Sequence, residues 1–307
     1  MGNYWWFVLA TVSPLLWAMC NHIDKIILEK YFKDGGVGTL LIVAALASGM
    51  ALPFLFLADR SVLAVSMNDI GILAVTAVLD VVLLWAYLSA LQHDDSSRVI
   101  VFYQMVPVLG VVSGWFFLNE VVSNKQLIAM LIILVGTSII SFEEVGGSLK
   151  FKWKTVAYML LACSCWAAEL AIFKVAAVEE NVWRSLFWKQ SALAILGVAM
   201  FTLIPKYRRS FLVAMRENSV PVLGAVLSNE VLYILGTISY GVAVMFAPVA
   251  LVLLTETFQS IFVLGIVIFI AKFTPRFVTE SIERKHLLRK VVAICITAVG
   301  TFYLLVF

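Results

Sequence analysis

The sequence predicts an all-α integral membrane protein of ten transmembrane helices, arranged as two inverted five-helix repeats. Three observations support this fold class. Hydrophobic residues make up 63% of the 307 residues and charged residues only 13%, whereas roughly 25% of the residues in a soluble domain are charged. Ten apolar stretches follow one another along the chain. A Trp-Ala signature also occurs twice, at Trp17 and at Trp166.

The apolar stretches give the number of helices. One membrane crossing takes about 20 mostly apolar residues, and short polar or glycine-containing breaks separate the stretches. The predicted spans 1 to 10 comprise residues 4–28, 37–57, 69–91, 97–118, 125–142, 153–177, 182–204, 220–245, 248–271 and 288–306. Because little sequence is left between them for a soluble domain, we expect any function to lie within the helix bundle or on its short loops.

Basic residues predict the orientation of the spans. Most of the 22 Lys and Arg residues lie in or beside the loops that follow spans 1, 3, 5, 7 and 9. Short positively charged loops stay in the cytoplasm. Both termini are therefore predicted on the outer side of a plasma or inner cell membrane that the chain crosses several times. Since the charges are scattered over several loops, we interpret them as topological anchors and expect no nucleic-acid partner.

The Trp-Ala signature indicates an internal duplication. In each copy a Lys follows the Trp after eight positions: Lys25 follows Trp17, and Lys174 follows Trp166. The two copies lie 149 residues apart. Because each half holds five spans, an odd number, the second half must enter the membrane in the opposite direction. The predicted repeats comprise residues 1–147 and 148–307.

Further motifs resemble a known transporter family. They are a Trp-rich first span, the Ala86-Tyr87 pair that opens residues 86–92, a fourth span with Pro107 that leads to Leu118-Asn119-Glu120, and Gln126 followed by Gly136. In this order they are similar to the EamA-like branch of the drug/metabolite transporter superfamily, over essentially the whole chain. The resemblance implies that spans 1, 3, 4, 6, 8 and 9 surround a central substrate cavity, with spans 5 and 10 outside it.

Polar side chains inside the predicted spans are the candidate site residues, because a charge at the bilayer centre costs about 2.5–3.5 kcal/mol on insertion scales. Asp80 and Glu230 lie near the centres of spans 3 and 8, at matching depths in the two halves. Lys189 in span 7 is expected either to pair with Glu169 or to extend to the membrane surface. The predicted substrate-binding residues are Trp17, Asn21, Asp80, Gln104, Trp166, Glu169, Glu230, Tyr233, Glu256 and Gln259.

Each candidate also has a structural interpretation. An acid or amide can instead tie two helices together by a polar contact. Trp17 and Trp166 fit core packing as well as a cavity wall, and Tyr87 fits packing better than binding. His22 and Asp24 lie near the end of span 1, where solvation costs less, so a direct role is not favoured for them.

These features predict a secondary transporter that moves a small polar metabolite by alternating access. Several acids with one buried Lys and nearby aromatic rings suit a cationic or zwitterionic solute such as an amino acid or related amine. The resemblance implies export more often than uptake. A quaternary amine, or a nucleotide- or lipid-linked sugar, is the alternative solute.

Transport is expected to draw on a gradient, because the sequence has no Walker motif. Carboxyl groups in a low-dielectric interior can carry protons, so Asp80, Glu230 and Glu256 are candidates for proton coupling. No cofactor or metal is expected. Both a monomer and a dimer are compatible with the sequence.

Two other functional classes are less compatible with the sequence. An intramembrane lipid-modifying enzyme would need a metal or nucleophile constellation, but no HExxH or GxSxG motif occurs, and His22, His93 and His286 lie away from the centres of the spans. A channel would need a continuously polar pore, whereas the acids here are isolated. The chain is therefore predicted not to be an enzyme.

Overall fold

The structure is a computed structural model of the 307-residue chain. It describes residues 5–30, 36–118, 123–145, 148–179, 182–217, 219–246, 249–273 and 284–306. Almost all of these residues are helical, and one short β hairpin interrupts them.

Thirteen α-helices occur in the described part of the chain. They are α1 (Trp5–Lys30), α2 (Gly36–Ala47), α3 (Leu52–Ala58), α4 (Met67–His93), α5 (Ser96–Val101), α6 (Met105–Leu118), α7 (Asn124–Ile140), α8 (Trp153–Glu179), α9 (Val182–Leu203), α10 (Pro205–Glu217), α11 (Ser219–Phe246), α12 (Val249–Phe273) and α13 (Arg284–Val306). Between α7 and α8, strands β1 (Phe142–Val145) and β2 (Ser148–Phe151) pair antiparallel.

Two of the predicted spans are not single regular helices. A 3-10 turn at Ser48–Ala51 joins α2 to α3, and another at Phe102–Gln104 joins α5 to α6. Gln104, a predicted site residue, therefore lies in a tighter turn than its neighbours.

Six helical segments are long and apolar enough to cross a membrane, judged on the described residues by length and composition. They are Trp5–Glu29, Gly36–Ala58, Met67–His93, Trp153–Phe173, Trp183–Leu203 and Thr255–Phe273. Many large apolar side chains on the outside of the bundle are exposed, as expected of surfaces that face lipid. The prediction of an all-α membrane protein is confirmed.

The helices pack in a small set of extensive pairs. Helix α1 packs along α11 and α12, while α8 packs along α4 and α6. Helix α2 packs against α9, and α7 packs against α13. The main buried core lies where α1, α4, α5, α8, α12 and α13 meet.

Glycines bring α7 and α13 close together. A Cβ atom on Gly136 would lie 2.5 Å from Cγ2 of Thr297, and one on Gly300 would lie 2.7 Å from Cγ1 of Ile133. Each helix thus presents a glycine to the other, and small residues of this kind allow membrane helices to pack backbone to backbone.

Two segments that the sequence assigned to loops are ordered secondary structure. Residues 205–218 were expected to be a connecting loop, but Pro205–Glu217 form the amphipathic helix α10. The sequence did not indicate this helix because its four basic residues interrupt the apolar residues by which the spans were recognised. The loop expected from Glu143 to Lys154 holds the β hairpin instead. Several residues interpreted above lie outside the described residues or side chains, among them Glu120, Lys174 and His286.

Candidate functional site

A hydrogen-bonded group of five buried side chains crosses the interior of the bundle. Gln259 Nε2 donates to Asn21 Oδ1 at 3.0 Å, and Asn21 Nδ2 donates to Tyr87 Oη at 2.8 Å. The Tyr87 hydroxyl donates to Asp24 Oδ2 at 3.4 Å, and Asn229 Nδ2 donates to Asp24 Oδ1 at 2.8 Å. We call these five residues the amide network.

The amide network connects four helices. Asn21 and Asp24 share a face of α1 because they are three positions apart, and α1 packs between α11 and α12. The remaining members come one each from α4, α11 and α12. Buried polar groups are costly without partners, so these bonds fix how the four helices are rotated relative to one another.

A second polar group contains an interior cation. Lys189 Nζ on α9 lies 2.8 Å from Asp80 Oδ2 on α4 and 2.8 Å from Glu169 Oε1 on α8. Its ammonium group also lies 5.7 Å from the centre of the Phe173 ring, within cation–π range. One ammonium group therefore serves two carboxylates, and we call Asp80, Glu169 and Lys189 the acid–lysine triad.

The triad alters the interpretation of two predicted acids. Lys189 pairs with Glu169, one of its two expected arrangements, and it pairs with Asp80 as well. Glu230 lies near another acid, Asp24 of α1. Asp80 and Glu230, expected at equivalent positions of the two halves, thus have different electrostatic surroundings.

Aromatic rings pack against both Trp residues of the repeated signature. Trp17 lies 5.8 Å from Tyr240 and 6.4 Å from Tyr233, measured between ring centroids. On the other side, Trp166 packs edge-on against Tyr103 at 5.0 Å. Trp17 thus contacts two tyrosines of α11, and Trp166 contacts one tyrosine in the 3-10 turn between α5 and α6.

Trp17 also lies directly against the backbone of α11. A Cβ atom on Gly236 would be only 2.7 Å from Trp17 Nε1. The absence of a side chain at Gly236 is thus what allows the indole to approach the helix.

A small cavity lies beside Trp166. Predicted site residues Gln104, Trp166, Glu256 and Gln259 line it together with Tyr103, Ile100, Thr257, Ser260 and Thr301. It leaves about 10 Å³ for the centre of a water-sized molecule, which is room for about one water. A metabolite would therefore fit only after the surrounding helices separate.

Hydrogen bonds hold the polar wall of this cavity. Gln104 Nε2 donates to Ser260 Oγ at 3.3 Å, and Thr301 Oγ1 donates to Gln104 Oε1 at 3.1 Å. Gln104 thus links the 3-10 turn to α12 and α13, so the turn's departure from a regular helix places an amide where three segments meet.

A cluster of charges joins the helices at one end of the bundle. Asp94 accepts hydrogen bonds from Arg98, from Lys152 at 3.1 Å and from Thr155 at 3.2 Å. Next to it, Asp95 pairs with Lys290 at 3.0 Å. We call this group, which ties the α4–α5 connection to α8 and α13, the Asp94 cluster.

Lys25 of the repeated signature belongs to the same end of the bundle. Its Nζ donates to the backbone oxygens of Leu91 at 2.8 Å and Asp94 at 2.7 Å, and it pairs with Glu29 at 2.9 Å. A cation at the carboxyl end of α4 is stabilised by the helix dipole. The Lys that follows the first Trp-Ala signature thus lies against the end of a neighbouring helix.

Several of the interacting residues were not selected from the sequence. Sequence reasoning gives Asn229 no role, although it precedes Glu230 in α11. It does not favour Asp24 or Tyr87, and it places Asp94 in the connection between spans 3 and 4. The spacing of Asn21 and Asp24 was a usable signal for a shared polar face, whereas nothing in the sequence indicated which helix that face meets.

Comparisons with known proteins agree with this architecture. The EamA-like transporter family matches residues 4–142. A solved structure described as "Crystal structure of protein" is similar over 96% of this chain and 94% of its own, with a TM-score of 0.57 and 17% sequence identity, which indicates a shared fold. No curated protein matches the chain. The match places residues 4–142 in the EamA-like transporter family of the drug/metabolite transporter superfamily, and the apolar helices are those of a multi-pass membrane protein.

Proposed function

We propose that this protein is a secondary transporter that moves a small cationic or zwitterionic metabolite, such as an amino acid or related amine, by alternating access. The observation that carries the proposal is the balance of charged groups within the bundle. In the described part of the chain, the carboxyl groups are those of Asp24, Asp80, Glu169, Glu230 and Glu256. The ammonium group among them is that of Lys189, because Lys25 beside Asp24 points to the backbone oxygens at the end of α4. Such an interior favours a solute that brings positive charge.

The proposed transporter has ten membrane spans in two inverted repeats, residues 1–147 and 148–307. In this count α2 and α3 together form one span, α5 and α6 together form another, and α10 does not cross the membrane. The packing supports the repeat. Spans 1, 3 and 4 of the first half correspond to spans 6, 8 and 9 of the second, so that α1 is equivalent to α8, α4 to α11, and α5 with α6 to α12. When each helix is exchanged for its equivalent, the pair α1–α11 becomes α8–α4, and the pair α1–α12 becomes α8–α6. Both exchanged pairs are among the extensive contacts.

Two further extensive pairs obey the same exchange, although α4 packs more extensively on α9 than α11 does on α2. The pairs α2–α9 and α7–α13 each map onto themselves, as expected for elements beside a twofold axis. Gly136 and Gly300 occupy the same Val-Gly-Thr motif in spans 5 and 10, and each faces the opposite helix. A duplicated and inverted unit explains these relationships without further assumptions.

The proposed solute site lies between the amide network and the acid–lysine triad. Trp17 and Trp166 provide aromatic faces for an ammonium group, while Asn21, Gln104 and Gln259 offer amides for its polar substituents. The triad carries one uncompensated negative charge when all three groups are ionised. An incoming ammonium group would neutralise that charge in the low-dielectric interior.

Alternating access requires the Asp94 cluster to open. Under the proposed orientation, with basic loops inside, this cluster lies on the cytoplasmic side and closes it. The small cavity is consistent with a closed state. Export would then begin when the ion pairs of Asp94 and Asp95 separate and admit the solute from the cytoplasm.

Proton coupling is part of the proposal. The Glu256 carboxyl group is hydrogen-bonded to the Tyr240 hydroxyl, and Glu230 lies near another acid, Asp24. A carboxyl group buried without a cation is more easily accommodated in its protonated form. Glu230 and Glu256 therefore suit proton carriage better than Asp80, whose charge is already paired with Lys189.

Ligand-induced thermal stabilisation of the purified protein tests the solute class. Amino acids, amines, quaternary amines and nucleotide sugars would be compared on wild type, Asp80→Asn and Glu230→Gln, with Asp69→Asn as the control acid on the first turn of α4. We expect an amine-bearing solute to stabilise wild type and Asp69→Asn, and to lose most of its effect in the other two variants. Equal stabilisation of all four proteins would show that the site is misplaced.

A flux measurement tests the coupling separately. Uptake of the stabilising solute into proteoliposomes should respond to an imposed pH gradient in wild type and lose that response in Glu230→Gln or Glu256→Gln. Flux that ignores the gradient in wild type would exclude proton coupling and leave the solute assignment intact.

A further inference from the structure

Helix α10 is confined to the membrane surface by its connections. It has 13 residues, Pro205–Glu217, and is therefore about 20 Å long. Helix α9 ends at Leu203 and α11 begins at Ser219, so one residue separates α10 from each neighbour. Because α9 is long and apolar enough to cross a membrane, α10 has to lie at the boundary between lipid and water.

One face of α10 is anchored to the bundle. Tyr207 and Phe211, four positions apart, pack on a buried cluster that includes Leu41 and Ile42 of α2. A Cβ atom on Gly38 would lie 2.3 Å from the Tyr207 ring, so the ring rests directly on the backbone of α2. This contact fixes the rotation of α10 and hence the direction of its opposite face.

The opposite face is basic. Its charged side chains are all exposed: Lys206, Arg208, Arg209 and Arg216. Arg208 reaches the backbone oxygen of Thr202 at 3.5 Å. All the charged side chains described on this helix are cations. A surface that concentrates arginines is suited to phosphate groups, which the guanidinium fork binds through two parallel hydrogen bonds.

Apolar side chains lie between these cations. Leu212 is 45% exposed and Val213 is 43% exposed. Since residues four positions apart share a face, Leu212 lies between Arg208 and Arg216, and Val213 follows Arg209. Exposed apolar side chains interleaved with arginines are typical of helices that lie in the interface of an anionic bilayer.

We propose that the exposed face of α10 binds the headgroups of anionic phospholipids. Arg208, Arg209 and Arg216 contact the phosphates, and Leu212 and Val213 enter the boundary with the acyl chains. The bilayer is favoured over an acidic protein because the helix is tied to the membrane surface at both ends and carries apolar side chains beside its charges. This interaction is independent of the transported solute and of proton coupling.

Lipid binding at α10 has a consequence for the rest of the molecule. Helix α11 begins two residues after α10 ends, and it carries Asn229 of the amide network together with Glu230. Headgroups bound to α10 therefore hold the start of a helix that contributes to the interior of the bundle. Anionic lipid would stabilise the arrangement of α2, α10 and α11 as one unit.

Hydrogen–deuterium exchange of the full-length protein in nanodiscs tests the proposal. Wild type and Arg208→Gln/Arg209→Gln would be compared in phosphatidylcholine discs and in discs containing phosphatidylglycerol. Because basic side chains near an anionic surface are attracted to it, we expect phosphatidylglycerol to slow exchange of the α10 amides at least about tenfold in wild type. The double variant should lose most of this protection.

A matched control removes two positive charges elsewhere. The variant Arg60→Gln/Lys125→Gln changes exposed residues outside α10 and should keep the full protection by phosphatidylglycerol. Equal exchange of the wild-type α10 amides in both kinds of disc would overturn the proposal. So would protection of α10 by a soluble poly-glutamate peptide in phosphatidylcholine discs that matches the effect of phosphatidylglycerol, since the surface would then serve an acidic protein.

Discussion

Lys189 Nζ lies 2.8 Å from the carboxylate of Asp80, and the same ammonium group lies 2.8 Å from Glu169. The three side chains belong to α9, α4 and α8, so the interaction joins helices from both halves of the chain. Their side chains are at most 18% exposed. Removing one partner from such a buried ion pair costs about 3–5 kcal/mol, because it leaves an uncompensated charge.

Replacement of Lys189 by Met should therefore destabilise the protein strongly. Two carboxylates would face each other without a cation, and the apparent melting temperature in detergent should fall. Adding Asp80→Asn to Lys189→Met should recover part of the loss, because one of the two unpaired charges is removed. Additive effects of the two substitutions would contradict a direct interaction, since independent sites add.

Opening of the Asp94 cluster should follow from Asp94→Asn. The substitution removes the charge that Arg98 and Lys152 share, so the equilibrium should shift toward a state in which this end of the bundle is open. Alkylation of the buried thiol of Cys20 by N-ethylmaleimide reports the opening, and we expect it to accelerate at least tenfold, equivalent to about 1.4 kcal/mol. Asp69→Asn, at the opposite end of α4, serves as the control and should leave the rate unchanged.

The general fold was accessible from sequence because its signals are local. Long apolar runs and the repeated Trp-Ala signature predicted an all-α membrane protein, and the family match agrees with the resemblance. The sequence does not predict helix α10, because its basic residues interrupt the apolar pattern in which Tyr207 and Phe211 lie four positions apart. The partnership of Asp24 with Asn229 was missed for a different reason. This hydrogen bond depends on how α1 and α11 are rotated against each other. No local sequence pattern specifies that rotation, because the two residues are 205 positions apart.

The loop between α3 and α4 should become less firmly attached to α9 in acid. Hydrogen bonds from the Ser61 side chain and backbone, together with Arg184, hold the pKa of Asp59 below its usual value. A carboxyl group whose folded-state pKa is depressed stabilises the fold above its unfolded pKa of about 3.9, and this stabilisation is lost as the pH falls through the folded-state pKa. Because Asp59 and Arg184 form a partly exposed pair, with side-chain exposures of 17% and 28%, the effect should be small.

Thermal unfolding between pH 7 and pH 3 checks the role of Asp59. Wild type should lose slightly more stability than Asp59→Asn below about pH 4, since the amide has no charge to lose. Above pH 5 the difference between the two proteins should be constant. A difference that changes mainly between pH 5 and pH 7 would point to another titrating group.

Two glycines of α11 provide a controlled test of the Trp17 position. A methyl group at Gly236 would meet the indole at 2.7 Å from Nε1, whereas a Cβ atom on Gly224 has nothing within 4 Å. Both substitutions to Ala gain the same intrinsic helix propensity, about 1 kcal/mol, so their difference isolates the contact with Trp17. Gly224→Ala should leave the melting temperature unchanged or slightly raised. Gly236→Ala should lower it and weaken stabilisation by the solute, because the displaced indole no longer offers its face to the interior. If the two variants bind solute equally well, Trp17 packs the core and does not line the site.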